Sequence, residues 1–154
     1  MKGLLKASFY DPNPVVLLEH KGLYWSKVPG TLEAKGIEPD EDYVIPLGKA
    51  RTIQYASVGK VEQGESAVII TYGMGVYWAQ QASLEFKDRI EIIDLRTLNP
   101  IDWQAIADAV TKHGRAFVLT EEPLLNSFAE SLAGRISKEC FRFLDAPVEI
   151  GRAH

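Results

Sequence analysis

The chain has 154 residues, enough for one domain with a real hydrophobic core, and 46% of them are apolar, including three Trp, six Tyr and six Phe. This composition excludes a disordered tail, and a net charge of −4 with scattered basic residues excludes a general affinity for nucleic acid. No apolar stretch approaches the ~20 residues of a membrane-spanning helix, so we expect no membrane partner.

The first 24 residues predict a helix followed by a strand. Residues 1–8 have the pattern of the last two turns of a helix, and the prolines of the Asp11-Pro12-Asn13-Pro14 turn end it. Residues 15–19 begin with an unbroken apolar run, which is typical of a strand covered on both faces. Such a strand needs neighbouring strands, so we expect this helix and strand to be the remnant of a separate domain.

Residues 25–48 show neither a helical nor a strand period and are rich in Gly, Pro and acidic residues. A stretch this long without regular structure is unusual inside a compact domain. We interpret it as a linker that crosses between two domains.

From residue 49 onward, predicted strands and helices alternate. The predicted strands cover residues 50–57, 66–72, 90–95, 116–120 and 148–150, and the predicted helices cover residues 75–86, 102–113 and 127–138. A capping box at Ser127 and Glu130 opens the last helix. This alternation predicts a three-layer α/β/α domain over residues 49–154, with a mostly parallel sheet and right-handed crossovers.

Ligands of such a sheet bind outside the carboxyl ends of its strands. At the first end, Gly73 and Gly75 resemble a phosphate loop, but Trp78 stands where the dinucleotide motif needs its third glycine. We therefore favour a glycine turn that lets strand and helix pack closely. At the second end, Asp94 and Arg96 are either an active pair or, more commonly, the anchor of a loop.

The third strand end carries Glu121 and Glu122 beside a helix N-terminus, where the helix dipole favours ionised carboxylates. This predicts capping or salt bridging rather than a general acid. His20, His113 and His154 lie far apart without metal-ligand spacing. On motifs alone, the chain carries no complete catalytic site.

Cys140 is the only cysteine, which excludes an internal disulfide and is typical of a reducing compartment. The sequence begins without the pattern of a signal peptide, so we expect a cytoplasmic protein. No base lies beside Cys140 in the sequence, and a reactive thiolate is not expected.

One constellation could bind a metal ion. The Ser8 carbonyl, the Asp11 carboxylate and the Asn13 amide supply hard oxygen ligands within a proline-stiffened turn. The alternative is that Asp11 and Asn13 bond to their own backbone, as these residues usually do in turns.

Five segments occur in order: KGLLKASFYDPNPVVLLEHKGLY, YVIPLGKA, IEIIDLRTLNPID, TKHGRAFVLTEEP and CFRFLDAPV. Together they closely resemble the beta subunit of the thiamine-diphosphate-dependent first component of 2-oxo acid dehydrogenase complexes. The match runs from Lys2 to about Ile150. YWSKVPGT and EPDEDYVIPLGKA look more like the branched-chain (2-oxoisovalerate) type than the pyruvate type.

The resemblance implies a domain division. Residues 1–24 would be the C-terminal remnant of a pyrimidine-binding domain, residues 25–48 the interdomain linker, and residues 49–154 a transketolase C-terminal-like domain truncated at its C-terminus. With no neighbouring strands for residues 15–18, we expect an exposed apolar patch and self-association.

The resemblance also implies a function. The full enzyme would decarboxylate a 2-oxo acid oxidatively and pass the acyl group to a lipoyl carrier, using thiamine diphosphate and magnesium. This fragment would bind neither cofactor and would carry no catalytic residue, so we expect it to be inactive alone. Its implied partners are the alpha part of the same enzyme, a second beta chain forming a dimer, and the lipoyl acyltransferase component.

Two sites carry over from the family. Ser8, Asp11 and Asn13 match a monovalent-cation site, for which potassium is the expected ion. Asp145, in the Leu-Asp-Ala-Pro loop, matches the region that docks the acyltransferase, and the alternative is a plain turn residue before Pro147. The open alternatives for function are the pyruvate dehydrogenase counterpart, a transketolase or deoxyxylulose phosphate synthase relative, which DPNPVVLLE argues against, and a stand-alone α/β nucleotide-binding module.

Overall fold

A computed structural model describes residues 1–25, 30–32, 36–86 and 88–152 of the chain. Its centre is a five-stranded sheet in the order β1-β3-β2-β4-β5. The strands are β1 (Arg51–Gln54), β2 (Ala67–Thr71), β3 (Ile90–Asp94), β4 (Ala116–Thr120) and β5 (Glu149–Arg152). The helices are α1 (Lys2–Tyr10), α2 (Lys21–Tyr24), α3 (Val58–Glu62), α4 (Gly75–Ser83), α5 (Trp103–His113) and α6 (Phe128–Glu139), with a 3-10 turn at Phe141–Phe143.

The sheet is mixed but mostly parallel. Strands β2 and β3, β2 and β4, and β4 and β5 pair in parallel, whereas β1 runs antiparallel to β3 with an irregular register between Thr52 and Gln54. The predicted α/β class with a mostly parallel sheet is confirmed. Within the described residues, no helix is long and apolar enough to cross a bilayer.

The central strands are apolar because both faces of the sheet are covered. Val68, Ile70 and Val118 are at most 1% exposed. They pack in one cluster with the inner faces of α5 and α6, whose buried members are Ile106, Ala109, Val110, Ala129, Leu132, Ala133 and Ile136.

Local signals set the helix ends. Ser127 Oγ accepts a hydrogen bond from the Glu130 amide at 2.9 Å, as the predicted capping box requires, and Asp102 Oδ1 accepts one from Ala105 at 3.3 Å. Gly114 ends α5 in the left-handed conformation, with φ of 67°.

Two helix predictions differ from the structure. Helix α4 ends at Ser83 rather than at residue 86, because the amides of residues 84–86 bond to carbonyls three residues back and tighten the chain into turns. Helix α3 was not predicted from the sequence; Ser57 Oγ caps its first turn by accepting a hydrogen bond from the Lys60 amide.

The predicted N-terminal helix is confirmed as α1, but the predicted strand at residues 15–19 is wrong. That segment has no strand partner among the described residues. Val16 and Leu18 are 84% and 81% exposed, so the expected apolar patch is present. An apolar run becomes a strand only where another strand accepts its backbone hydrogen bonds.

Helix α1 packs against the segment that leads into the sheet. The Ile45 amide donates to the Gly3 carbonyl at 3.1 Å, and Lys2 Nζ donates to Glu38 Oε1 at 2.9 Å. Parts of the predicted linker, residues 26–29 and 33–35, lie outside the described residues, as does His154. The division into residues 1–24, 25–48 and 49–154 stays a prediction.

Candidate functional site

Three neighbouring strands end at the sheet edge where α/β proteins bind ligands. Strands β3, β2 and β4 lie side by side and finish at Asp94, Thr71 and Thr120. The loops that follow these strands carry the residues predicted as binding-site candidates.

The turn after β2 is a packing turn. Gly73 has a φ of 57°, and a Cβ on Gly75 would collide with Thr71 Oγ1 and lie 3.3 Å from the Leu119 carbonyl oxygen. Thr71 Oγ1 itself donates to that carbonyl at 2.8 Å. The space a phosphate would need beside the second glycine is filled by the protein, which supports the predicted close-packing role.

The turn after β3 is anchored by Asp94. Its Oδ1 accepts a hydrogen bond from the Arg96 amide at 3.1 Å, and Arg96 has a positive φ of 57°. Burial raises the pKa of Asp94, although the Arg96 amide and the charges of Arg96 and Arg51 oppose that shift. The contact to the Arg96 backbone supports the loop-anchor interpretation over an active pair.

The turn after β4 uses both of its glutamates structurally. Glu122 Oε1 accepts from the Ala129 amide at 2.9 Å in the first turn of α6, and Glu121 Oε1 lies 3.2 Å from His20 Nε2. Glu122 therefore has the predicted capping role, and Glu121 forms a polar contact with His20. Tyr72 lies at the same edge, with its hydroxyl 3.3 Å from Thr120 Oγ1. Burial raises the pKa of the Tyr72 hydroxyl.

A buried polar cluster lies at the opposite, amino edge of the sheet. His113, at the end of α5, places Nδ1 2.7 Å from Ser66 Oγ and Nε2 3.1 Å from Glu91 Oε2. Lys112 Nζ reaches the same glutamate oxygen at 2.6 Å. Burial opposes ionisation of Glu91, but the hydrogen bonds from His113 and Lys112 outweigh it, so its pKa is lowered.

A Ser-His-Glu chain of this kind resembles a hydrolase triad in composition only. Ser66 is 2% exposed and His113 3% exposed, so no substrate can reach the hydroxyl. His113 lies at a helix end as predicted, but its contacts with Ser66 and Glu91 were not predicted from the sequence. The sequence feature that could have indicated this cluster is Glu91, a glutamate inside an otherwise apolar buried strand.

The polar groups of the predicted cation turn form hydrogen bonds with one another and with nearby backbone. Asp11 Oδ1 accepts from both the backbone amide and the side-chain amide of Asn13, at 2.9 and 3.0 Å, while Ser8 Oγ donates to the Leu4 carbonyl. The local bonds of the alternative are therefore present, and the cation site at Ser8, Asp11 and Asn13 stays a prediction for the full enzyme. The remaining oxygens of Ser8, Asp11 and Asn13 are too few to complete a shell for potassium by themselves. Among the described residues, no group of three or more His, Cys, Asp or Glu is placed to hold a metal.

Asp145 lies in an exposed loop against the end of α5. Its amide donates to the Gly114 carbonyl at 2.7 Å, and a Cβ on Gly114 would lie 2.5 Å from Asp145 Oδ2. The next two residues, Ala146 and Pro147, line an open cleft of about 210 Å³ with Phe117. Asp145 therefore borders a small apolar depression on the surface.

Cys140 is 3% exposed at the end of α6. Burial raises the pKa of its thiol, and the charge of Glu139 raises it further. The thiol is therefore unreactive, as the sequence indicated.

Comparisons with known proteins cover most of the chain. Residues 56–150 match the family described as "Transketolase, C-terminal domain". The "2-oxoisovalerate dehydrogenase subunit beta" of Bacillus subtilis (strain 168) is 38% identical over 151 residues, covering 96% of this chain and 42% of the relative. The "Pyruvate dehydrogenase E1 component subunit beta" of Rhizobium meliloti (strain 1021) is 34% identical, covering 96% of this chain and 29% of the relative.

A solved structure, "Split gene transketolase, inactive beta4 tetramer", is similar with a TM-score of 0.57 and 16% identity, covering 72% of this chain and 34% of that one. This likeness supports the fold alone. The chain spans less than half the length of these two curated relatives.

Proposed function

This chain belongs to the transketolase C-terminal domain family, and from that membership we propose that it is the C-terminal region of the beta subunit of a thiamine-diphosphate-dependent 2-oxo acid dehydrogenase. The observation that carries the proposal is the 38% identity to a 2-oxoisovalerate dehydrogenase beta subunit over 96% of this chain. The similarity covers 96% of this chain, so it extends beyond residues 56–150, which the family match covers.

The full enzyme would decarboxylate a 2-oxo acid and transfer the resulting acyl group to a lipoyl carrier. Thiamine diphosphate, when bound, supplies the electron sink for that chemistry. The described residues do not fit this cofactor at the carboxyl edge of the sheet, because Gly75 is packed against Thr71 and the Glu122 carboxylate caps α6. The role left to this region is assembly with the alpha part and a second beta chain.

We place the substrate in the branched-chain, 2-oxoisovalerate class. The 2-oxoisovalerate relative of Bacillus subtilis is 38% identical over 96% of this chain, whereas the pyruvate dehydrogenase beta subunits of Rhizobium meliloti and Rickettsia bellii are 34% and 35% identical over 96% and 97% of it. The pyruvate counterpart is the second candidate for that reason. A nucleotide-binding module has less support, since the glycine turn offers no room for a phosphate.

Docking of the acyltransferase component is the other role we propose. Asp145 presents an exposed carboxylate beside the apolar cleft at Ala146 and Pro147. An acid next to an apolar depression suits a basic, partly apolar partner surface.

A chimera tests the proposal. The part of the Bacillus subtilis beta subunit that aligns with this chain is replaced by this chain, and the product is co-expressed with its alpha subunit. We expect an assembled enzyme that binds the alpha subunit and decarboxylates 2-oxoisovalerate, the substrate of the host enzyme. A matched chimera carrying a transketolase C-terminal domain is the control and should not assemble.

A folded chimera that fails to bind the alpha subunit would contradict the proposal. Better assembly of the same replacement with the Rhizobium meliloti pyruvate dehydrogenase subunits would instead favour the second candidate. A thermal shift of the 154-residue chain by NAD, ATP or FAD would favour the nucleotide-binding alternative, because only a ligand that binds the folded state raises the melting temperature.

A further inference from the structure

The carboxylate of Asp145 is exposed, and among the described residues its oxygens form neither a hydrogen bond nor an ion pair. It lies against the end of α5, where a Cβ on Gly114 would come within 2.5 Å of Asp145 Oδ2. The carbonyl end of a helix carries a partial negative charge, so it does not stabilise a carboxylate. Contacts other than those of its own charge must therefore hold Asp145 at this place.

The backbone of the Asp145 loop is held by Gly114. The Asp145 amide donates to the Gly114 carbonyl at 2.7 Å, and the Gly114 amide donates to the Val110 carbonyl at 2.9 Å. Gly114 has a φ of 67°, a left-handed conformation, and because it has no Cβ it lets the acid approach the helix end. The position of Asp145 therefore depends on the position of the last turn of α5.

Buried side chains fix the last turn of α5 on the sheet. The side chain of His113 is 0% exposed, with Nδ1 2.7 Å from Ser66 Oγ and Nε2 3.1 Å from Glu91 Oε2. Lys112 Nζ contacts the same glutamate oxygen at 2.6 Å. Both ring nitrogens have a partner, so the ring cannot turn or shift without losing a buried hydrogen bond.

We propose that His113 and Ser66 are positioning residues for Asp145. Their buried contacts fix the end of α5, and Gly114, the next residue after His113, holds the exposed carboxylate where a cationic side chain of the docking partner can reach it. That this partner is the acyltransferase component rests on the proposed function. That the buried contacts hold the loop does not rest on it.

Amide hydrogen exchange of the 154-residue chain tests the positioning step without any partner. The Asp145 amide should exchange slowly in the wild type, because it is bonded to the Gly114 carbonyl. His113→Gln and Ser66→Ala should each raise its exchange rate by about tenfold relative to that of the Val118 amide. Val118 is buried in the interior strand β4, so its amide reports opening of the whole sheet.

Thr71→Ala is the matched control. Thr71 is buried like Ser66, but its hydroxyl donates to the Leu119 carbonyl at the opposite edge of the sheet. Losing this hydroxyl should destabilise the fold and leave the ratio of the Asp145 and Val118 exchange rates unchanged. Circular dichroism should show that all three variants are folded.

A mutant cycle on the chimeric enzyme tests the consequence for docking. Asp145→Asn should weaken binding of the acyltransferase component by about fivefold in titration calorimetry, and His113→Gln should weaken it by about threefold or more. The double variant should bind no more weakly than Asp145→Asn alone, because the histidine acts only through the acid. A histidine that merely supported the fold would add its own loss.

Three results would overturn the proposal. The first is fast exchange of the Asp145 amide in the wild type, and the second is an exchange ratio that neither His113→Gln nor Ser66→Ala changes more than the control does. The third is additive losses in the mutant cycle. Normal binding by Asp145→Asn would instead contradict the docking role of Asp145, and the exchange ratios alone would then decide whether the buried contacts position the loop.

Discussion

His113 Nε2 and Glu91 Oε2 lie 3.1 Å apart at the amino edge of the sheet, and neither residue is more than 4% exposed. The same glutamate oxygen receives Lys112 Nζ at 2.6 Å, and the second ring nitrogen of His113 meets Ser66 Oγ. The network ties the end of α5 to β2 and β3. Its polar groups bond to one another, which is the condition under which such groups can be buried.

We expect Glu91→Gln to lower the free energy of unfolding by about 2 kcal/mol, because the buried amide loses the charge that holds Lys112 and His113. Urea unfolding at pH 7 measures the effect. Glu139→Gln is the control: Glu139 forms an exposed pair with Arg135 at 2.9 Å, and its loss should cost less than about 0.5 kcal/mol. Equal costs for the two variants would show that the buried network adds no stability.

The lowered pKa of Glu91 predicts a dependence on pH. Its ordinary value is 4.5, so its contribution to stability is complete above that value and is lost as the pH falls through the lower pKa of the folded state. The difference in unfolding free energy between the wild type and Glu91→Gln should therefore be constant near neutrality and shrink below about pH 4.5. A difference that grows on acidification contradicts this sign.

Asp94 should behave in the opposite way. Its pKa is raised, chiefly by burial, so its ionised form destabilises the fold once the pH exceeds that raised value. Asp94→Asn keeps an oxygen for the Arg96 amide and removes the charge. We therefore expect the free energy of unfolding to rise by about 0.5–1 kcal/mol at pH 7. Asp108→Asn on the exposed face of α5 is the control and should change little. A marked loss of stability would show that the charge of Asp94 is needed.

The alternating pattern after residue 49 predicted the order of the sheet elements because each strand and helix carries its own period and caps. β4 spans residues 116–120 as predicted, and Ser127 caps α6. These signals lie within or beside the element that they mark, so they can be recognised in the sequence alone. The antiparallel direction of β1 is not local, since it depends on which strand accepts its hydrogen bonds.

The same reason explains what the sequence could not supply at the sites. His113 and Glu91 are 22 residues apart, and only the crossover from β3 to α5 brings them together. The apolar run at residues 15–18 shows the opposite error, because a strand was predicted there and the structure has none. Their apolar composition predicted burial, but burial required partner strands that the described residues do not provide.

Asp145→Lys tests the docking role proposed for the Asp145 loop. Reversing the charge should weaken binding of the acyltransferase component by about tenfold, because a rim charge mainly sets electrostatic complementarity. The measurement is titration calorimetry on the chimeric enzyme. Glu62→Lys, at an exposed position on α3, is the control and should bind normally. Normal binding by Asp145→Lys would leave Asp145 as a plain turn residue.

Gly75→Ala separates a packing glycine from a ligand-binding one. The new Cβ would collide with Thr71 Oγ1, which is fully buried, so we expect the unfolding free energy to fall by about 2 kcal/mol or more. Gly134→Ala is the control, because Gly134 lies inside α6 and an added Cβ would have nothing within 4 Å. This substitution should raise the unfolding free energy by about 0.5–1 kcal/mol, because the unfolded chain with alanine has less conformational entropy to lose.

The double variant Thr71→Ala with Gly75→Ala tests whether the collision with Thr71 Oγ1 causes the loss of stability. Removing the hydroxyl removes the obstacle, so the double variant should lose less stability than the sum of the two single losses, as contacting residues do in a mutant cycle. Additive losses would point to strain elsewhere in the β2–α4 turn. Unchanged stability in Gly75→Ala would mean that the turn has room beside it, and the phosphate-loop alternative would regain support.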